Sequence, residues 1–136
     1  MAQNIKIFLI CCIGLGALDF VWLGLIMNHY YTERLRPVAR IVDGKLQPVL
    51  WAGVIVYAAL AIAILEFALP RVTAVSSPKE VFFTGALLGL VIYATYDFTN
   101  YSTLKDWPLT LSVVDSLWGA FLCGAVTGLA RYVRDV

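Results

Sequence analysis

Residues 81–104 read VFFTGALLGLVIYATYDFTNYSTL, and this stretch decides the fold. It contains one acid, Asp97, and no Lys, Arg or His. A run that long and that apolar matches the roughly 20 residues needed to cross the hydrocarbon of a bilayer. Immediately before it, Ser77-Pro78-Lys79-Glu80 offers an N-cap Ser, a Pro at the first helical position and a Glu at the third. That is a capping box, so the sequence specifies a helix with a defined start.

Three more runs of the same kind lie on either side: Ile5 to Met27, Pro48 to Leu69, and Leu109 to Tyr132. The whole chain of 136 residues is 61% hydrophobic and 14% charged. A soluble domain, at about 45–50% apolar and about 25% charged, would have polar surface to cover its core; this chain has none to spare. Disorder is excluded too, by the apolar content together with four Trp, seven Tyr and seven Phe. The expectation is an all-α polytopic membrane protein: a four-transmembrane-helix antiparallel bundle forming one integral membrane domain over residues 1–136. Met1 to Ala17 also has the basic, apolar and small residues of a secretory signal, but the apolar run continues to Met27, which favours a retained first span.

Asn28 to Gln47 reads as the one long loop, interrupted by Pro37 and carrying an Asp43-Gly44 turn signal. The third and fourth spans are joined only by Lys105-Asp106-Trp107-Pro108, which makes them antiparallel neighbours. The termini and the second loop share one membrane side, called side A; the first and third loops share the other, side B. Side A holds Lys6, Arg71, Lys79, Arg131 and Arg134, and side B holds Arg34, Arg36, Arg40, Lys45 and Lys105. This tie leaves the orientation unassigned. It also admits a homodimer of two oppositely inserted copies.

The formal net charge of +1 conceals a segregation by sign. All ten Lys and Arg lie outside the apolar runs or at their ends, whereas Asp19, Glu66, Asp97 and Asp115 lie within them. At 1.5 Å per residue, Asp97 and Asp115 are roughly 10 Å below side B and Asp19 roughly 12 Å. An Asp near the centre of a membrane helix costs about 2.5–3.5 kcal/mol on insertion scales, so three at one level demand partners or a purpose. Glu66 lies nearer side A and stands apart from them.

Helical spacing supplies the partners. Tyr93, Asp97, Asn100 and Tyr101 share a face of the third span. Ser112, Asp115, Ser116, Gly119 and Cys123 form a small, polar stripe on the fourth. Asp19-Phe20-Val21-Trp22 and Asp115-Ser116-Leu117-Trp118 repeat an Asp-x-x-Trp pattern, with Asp and Trp adjacent on a helical face. The candidate ligand-binding or proton-handling residues are therefore Asp19, Trp22, Tyr93, Asp97, Asn100, Tyr101, Ser112, Asp115 and Trp118. The competing reading is a buried network that glues helices together through hydrogen bonds worth roughly 0.6–2 kcal/mol each.

Other features read as architecture. Gly85-x-x-x-Gly89 and Gly124-x-x-x-Gly128 allow close helix contact, within the bundle in preference to between copies. Tyr30, Tyr31, Trp51, Tyr101 and Trp107 suit an aromatic belt at side B. Cys11, Cys12 and Cys123 fall inside spans as small apolar residues, and no metal-ligand spacing or cofactor motif is present. No soluble basic domain exists to bind nucleic acid.

The run Tyr93-Ala94-Thr95-Tyr96-Asp97-Phe98-Thr99-Asn100, followed by Leu104-Lys105-Asp106-Trp107-Pro108, Val114-Asp115 and Trp118-Gly119, resembles a bacterial family of small predicted membrane proteins, domain of unknown function 2177. Asp19 and Trp22 fit its first helix. The resemblance implies a four-helix, multi-pass protein of the bacterial inner membrane and supplies no activity. Three functions remain open: binding of a small amphipathic or lipid-like ligand in an Asp and aromatic pocket between the first, third and fourth spans, proton-coupled transport by a dimer, and lipid modification using paired Asp residues as acid and base. Small multidrug exporters are comparable in size and in their intramembrane acids, but their single Glu in the first helix has no counterpart here. The lipid bilayer is the partner that the four spans imply; the cofactor is unknown.

Overall fold

The computed structural model describes residues 2–136; the signal-like reading begins at Met1, outside the described residues. Helix α1 (Ala2–Asp19) continues as a π-helical segment, Phe20–Ile26. Helix α3 (Leu50–Ala63) likewise continues through a π-helical turn, Ile64–Ala68, into a 3-10 turn, Leu69–Arg71. Helices α4 (Pro78–Thr103) and α5 (Leu109–Asp135) are unbroken. These four, Ala2–Ile26, Leu50–Arg71, Pro78–Thr103 and Leu109–Asp135, are long and apolar enough to cross a membrane. The protein is an all-α polytopic membrane protein.

The predicted capping box opens α4: Ser77 Oγ accepts from Glu80 N at 3.3 Å, and Ser77 N donates to Glu80 Oε2 at 2.7 Å. The segment read as a long loop is more ordered than expected. It folds into a short helix, α2 (Asn28–Leu35), and a small antiparallel hairpin, β1 (Ile41–Val42) and β2 (Lys45–Leu46). Asp43 and Gly44 make its turn with positive φ of 50° and 75°, the backbone shape that a two-residue Asp-Gly hairpin requires.

Helices α4 and α5 pack antiparallel along their length. Between apolar helices in lipid, close packing replaces the hydrophobic drive, so small residues decide where helices meet. A Cβ on Gly89 would collide with the backbone of Gly119, and one on Gly119 with the Tyr93 ring. Gly128, by contrast, has open space around its Cβ position.

In the side-A half, Ile7, Cys11 and Leu15 of α1, Leu60 and Ile64 of the α3 span, and Leu122, Val126 and Ala130 of α5 form a closed core. Arginines tie the second loop beneath it. Arg134 Nη1 donates to the carbonyls of Leu69 at 3.1 Å and Val72 at 2.9 Å, and Arg131 donates to those of Ala74 and Ser76. In the side-B half, α3 stands away from the bundle: Leu50, Trp51, Val54, Ile55 and Val56 are exposed, and Gly53 meets nothing. Lipid can cover this segment because it is apolar on every face.

Candidate functional site

The π-helical segment begins one residue past Asp19, and its widened turn is closed by Met27 N donating to Trp22 O at 2.7 Å. Single π turns recur at functional positions because they redirect side chains within a helix. Here Asp19 and Trp22 both face α5. Trp118 Nε1 donates to Asp19 Oδ1 at 2.6 Å, and the Trp22 and Trp118 rings stack at 4.4 Å with planes 4° apart. The two Asp-x-x-Trp motifs thus meet. The Tyr57 phenol, from α3, also faces the Asp19 carboxyl.

The network continues from Trp22. Its Nε1 donates to the Tyr31 hydroxyl at 3.2 Å, and that hydroxyl donates to Asp115 Oδ1 at 2.6 Å. Burial, followed by the nearby Asp115 carboxyl, pushes the Tyr31 phenol well above its ordinary value, so it serves as a durable donor. Asp115 in turn faces Asp97. On the far side, Trp107 Nε1 donates to Ser112 Oγ at 3.1 Å, and Ser112 Oγ donates to the Asp97 carbonyl at 3.3 Å. The carboxyls of Asp19, Asp115 and Asp97, expected at one depth, therefore belong to one string of contacts.

One link is incomplete. Asp97 is fully buried, and neither of its carboxyl oxygens has a hydrogen-bond partner; Thr32 Oγ1 and Ser116 Oγ are also buried and unpartnered. A buried acceptor without a donor costs about 1–3 kcal/mol, more for a charged group. The carboxyl facing Asp97 offers no N–H, so a proton held by one of the pair is what would convert it into a donor.

Beside this string lies a cavity of about 460 Å³ lined by Val56, Ala59 and Leu60 of α3, Ile92, Tyr93 and Tyr96 of α4, and Asp115 of α5. It is the space left where α3 stands away from α4, and no residue of the first span lines it. Its wall is apolar and aromatic, with one carboxyl. The pocket expected between the first, third and fourth spans is displaced, because Asp19 and Trp22 are taken up by direct contacts with Trp118.

Of the sequence-derived residues, Asp19, Trp22, Asp97, Ser112, Asp115 and Trp118 come together in the network, and Tyr93 lines the cavity next to it. Asn100 is half-buried and faces Tyr96 one helical turn away. Tyr101 is exposed on the outer surface, apart from the others. Tyr31, Tyr57, Tyr96 and Trp107 are the additions. Tyr31 and Trp107, read as belt residues, turn inward to Asp115 and Ser112. Tyr57 was detectable by depth: nine residues past Pro48 places it roughly 13 Å below side B, level with Asp19. Among the described residues no cluster of His, Cys, Asp or Glu is placed to hold a metal ion.

Four apolar spans enclosing a string of acids, tryptophans and tyrosines in one half define a polytopic membrane protein with a polar interior. The chain belongs to the family described as predicted membrane protein DUF2177, whose model matches residues 4–132. No curated protein and no solved structure matches it.

Proposed function

We propose that this is a binding protein of the bacterial inner membrane that takes a small amphipathic, lipid-like molecule into the crevice between α3 and α4. The observation that carries this reading is the cavity of about 460 Å³, apolar along its wall and ending on Asp115. Sites for small molecules are commonly about 300–1,000 Å³, mostly apolar, with a few placed polar groups. The apolar part of the ligand lies against Leu60 and Ile92, and its polar end, a hydrogen-bond donor or a cation, meets Asp115. The test is mass spectrometry of molecules retained by protein purified in native lipid patches. The wild type is expected to carry an amphipath enriched over the surrounding membrane, lost about tenfold or more in Ala59→Trp, which fills the crevice from the α3 side. A wild-type profile identical to bulk lipid overturns the proposal.

The unpartnered Asp97 oxygens facing Asp115 favour a second reading, proton-coupled transport by a dimer. It requires proton movement in vesicles that depends on substrate and disappears in Asp97→Asn. Vesicles that move no protons with any bound amphipath leave binding as the better account.

A further inference from the structure

A second cavity, of about 650 Å³, lies on the other flank of α3, between the π-helical end of α1, the hairpin and the start of α3. Its layers follow the membrane normal. At the rim, in the first loop and at its ends, are Arg40, Asn28 and Gln47; the wall is formed by residues such as Phe20, Leu23 and Leu50; Asp19 and Tyr57 lie at the floor. Phe20 and Leu50 are exposed, 67% and 79%, so the wall opens sideways to lipid.

The arginines of this loop are not equivalent. Arg36 is paired with Glu33, and the Arg34 guanidinium lies over the Tyr30 ring at 5.5 Å. Among the described residues Arg40 has no side-chain acceptor, and it alone of the three borders the cavity. A cation at the surface, an apolar wall below it and an acid at the bottom select one kind of occupant. An anion is attracted at the rim and repelled from the floor, so the charged end stays at headgroup level and an apolar chain fills the space beneath. We propose that this groove seats one anionic membrane phospholipid, its phosphate on Arg40 and an acyl chain against Phe20, Leu23 and Leu50. The site is separate from the crevice on Asp115 and does not depend on what that crevice binds.

The test is native mass spectrometry of the full chain from nanodiscs of phosphatidylglycerol mixed with phosphatidylcholine, with retained lipid counted. Wild type is expected to retain one phosphatidylglycerol, and Arg40→Gln to lower that retention about five- to tenfold, the worth of one basic residue near the surface. Arg34→Gln is expected to change nothing. Gly24→Leu adds bulk to the groove where only Phe20 is close, and is expected to lower retention in protein that still folds. Equal retention by wild type and Arg40→Gln overturns the proposal. So does an equal loss in Arg34→Gln, which would mark general surface charge. Displacement of the lipid by millimolar inorganic phosphate also overturns it, since the groove would then be a site for free anions.

Discussion

The two halves of this bundle solve the same problem with different means. Toward side A, helices α1, α3 and α5 close on small and branched side chains, and Arg131 and Arg134 satisfy the carbonyls of the loop beneath. Toward side B, the helices are joined by directional bonds among Asp19, Trp118, Trp22, Tyr31 and Asp115, and α3 leaves a cavity on each flank. Packing fills space, so the core of the first half is closed. The pocket of about 470 Å³ at that end, bordered by Pro78, Gly128 and Tyr132, lies outside it between the start of α4 and the end of α5. Hydrogen bonds fix points and leave gaps between them, so the second half is held together and still open. Apolar packing is concentrated in one half and buried polar groups in the other.

The largest effect is expected at Gly89, where the two halves meet. Leucine there would drive its side chain into the backbone of Gly119, and backbone has no rotamer with which to give way. We expect Gly89→Leu to cost about 3 kcal/mol or more, read as loss of folded protein on thermal unfolding in detergent. Gly128→Leu, with open space at its Cβ position, should stay within about 0.5 kcal/mol. A large loss at Gly128, or dissociation of a dimer on sizing, would show that this face packs against a second copy.

The closed half was largely legible in the sequence, because long apolar runs, the capping box at Ser77 and the small residues of α4 and α5 act through local rules. The depth of Asp19, Asp97 and Asp115 was legible too, since helical rise is fixed. What could not be read was which way the loop between the first two spans would fold. Tyr30 and Tyr31 are equivalent as belt residues until α2 forms, and then Tyr31 turns inward while Tyr30 stacks edge-on against it at 5.8 Å. The splay of α3 was equally hidden, because a segment apolar on all faces carries no signal that distinguishes lipid from protein.

The open half makes an opposite prediction from the closed one. If the network of Asp97 existed for cohesion, removing its carboxyl would weaken the fold. Its oxygens have no donors, so Asp97→Asn supplies an N–H where two carboxyls now face each other. We expect that variant to be as stable as wild type or more so, by up to about 1.5 kcal/mol, and to lose ligand retention or proton movement. Thermal unfolding and the binding measurement on the same preparation check both parts. A destabilised Asp97→Asn variant would make the network structural glue.

The smallest effects concern how α2 is held against the open half. Two contacts compete for the credit: the inward bond from Tyr31 to Asp115, and the outward pair of Arg36 with Glu33. The Arg36 guanidinium holds the Glu33 carboxyl below its ordinary value, but both side chains are about half exposed, at 55% and 48%. A depressed acid adds stability above its unfolded value and loses it as pH falls through the lowered one. For an exposed pair this contribution is largely screened by salt. Tyr31 is different: its hydroxyl is a neutral donor well into alkaline pH, and its bond sits beside the half-buried, stacked rings of Trp22 and Trp118. Losing about 1 kcal/mol of such a bond lowers exchange protection about fivefold. Hydrogen exchange over residues 28–35 should therefore accelerate about fivefold in Tyr31→Phe at neutral pH and stay unchanged in Glu33→Gln at physiological salt. The reverse pattern would move the anchor of α2 from the polar interior to the surface, and Asp115 would lose its claim to organise the loop above it.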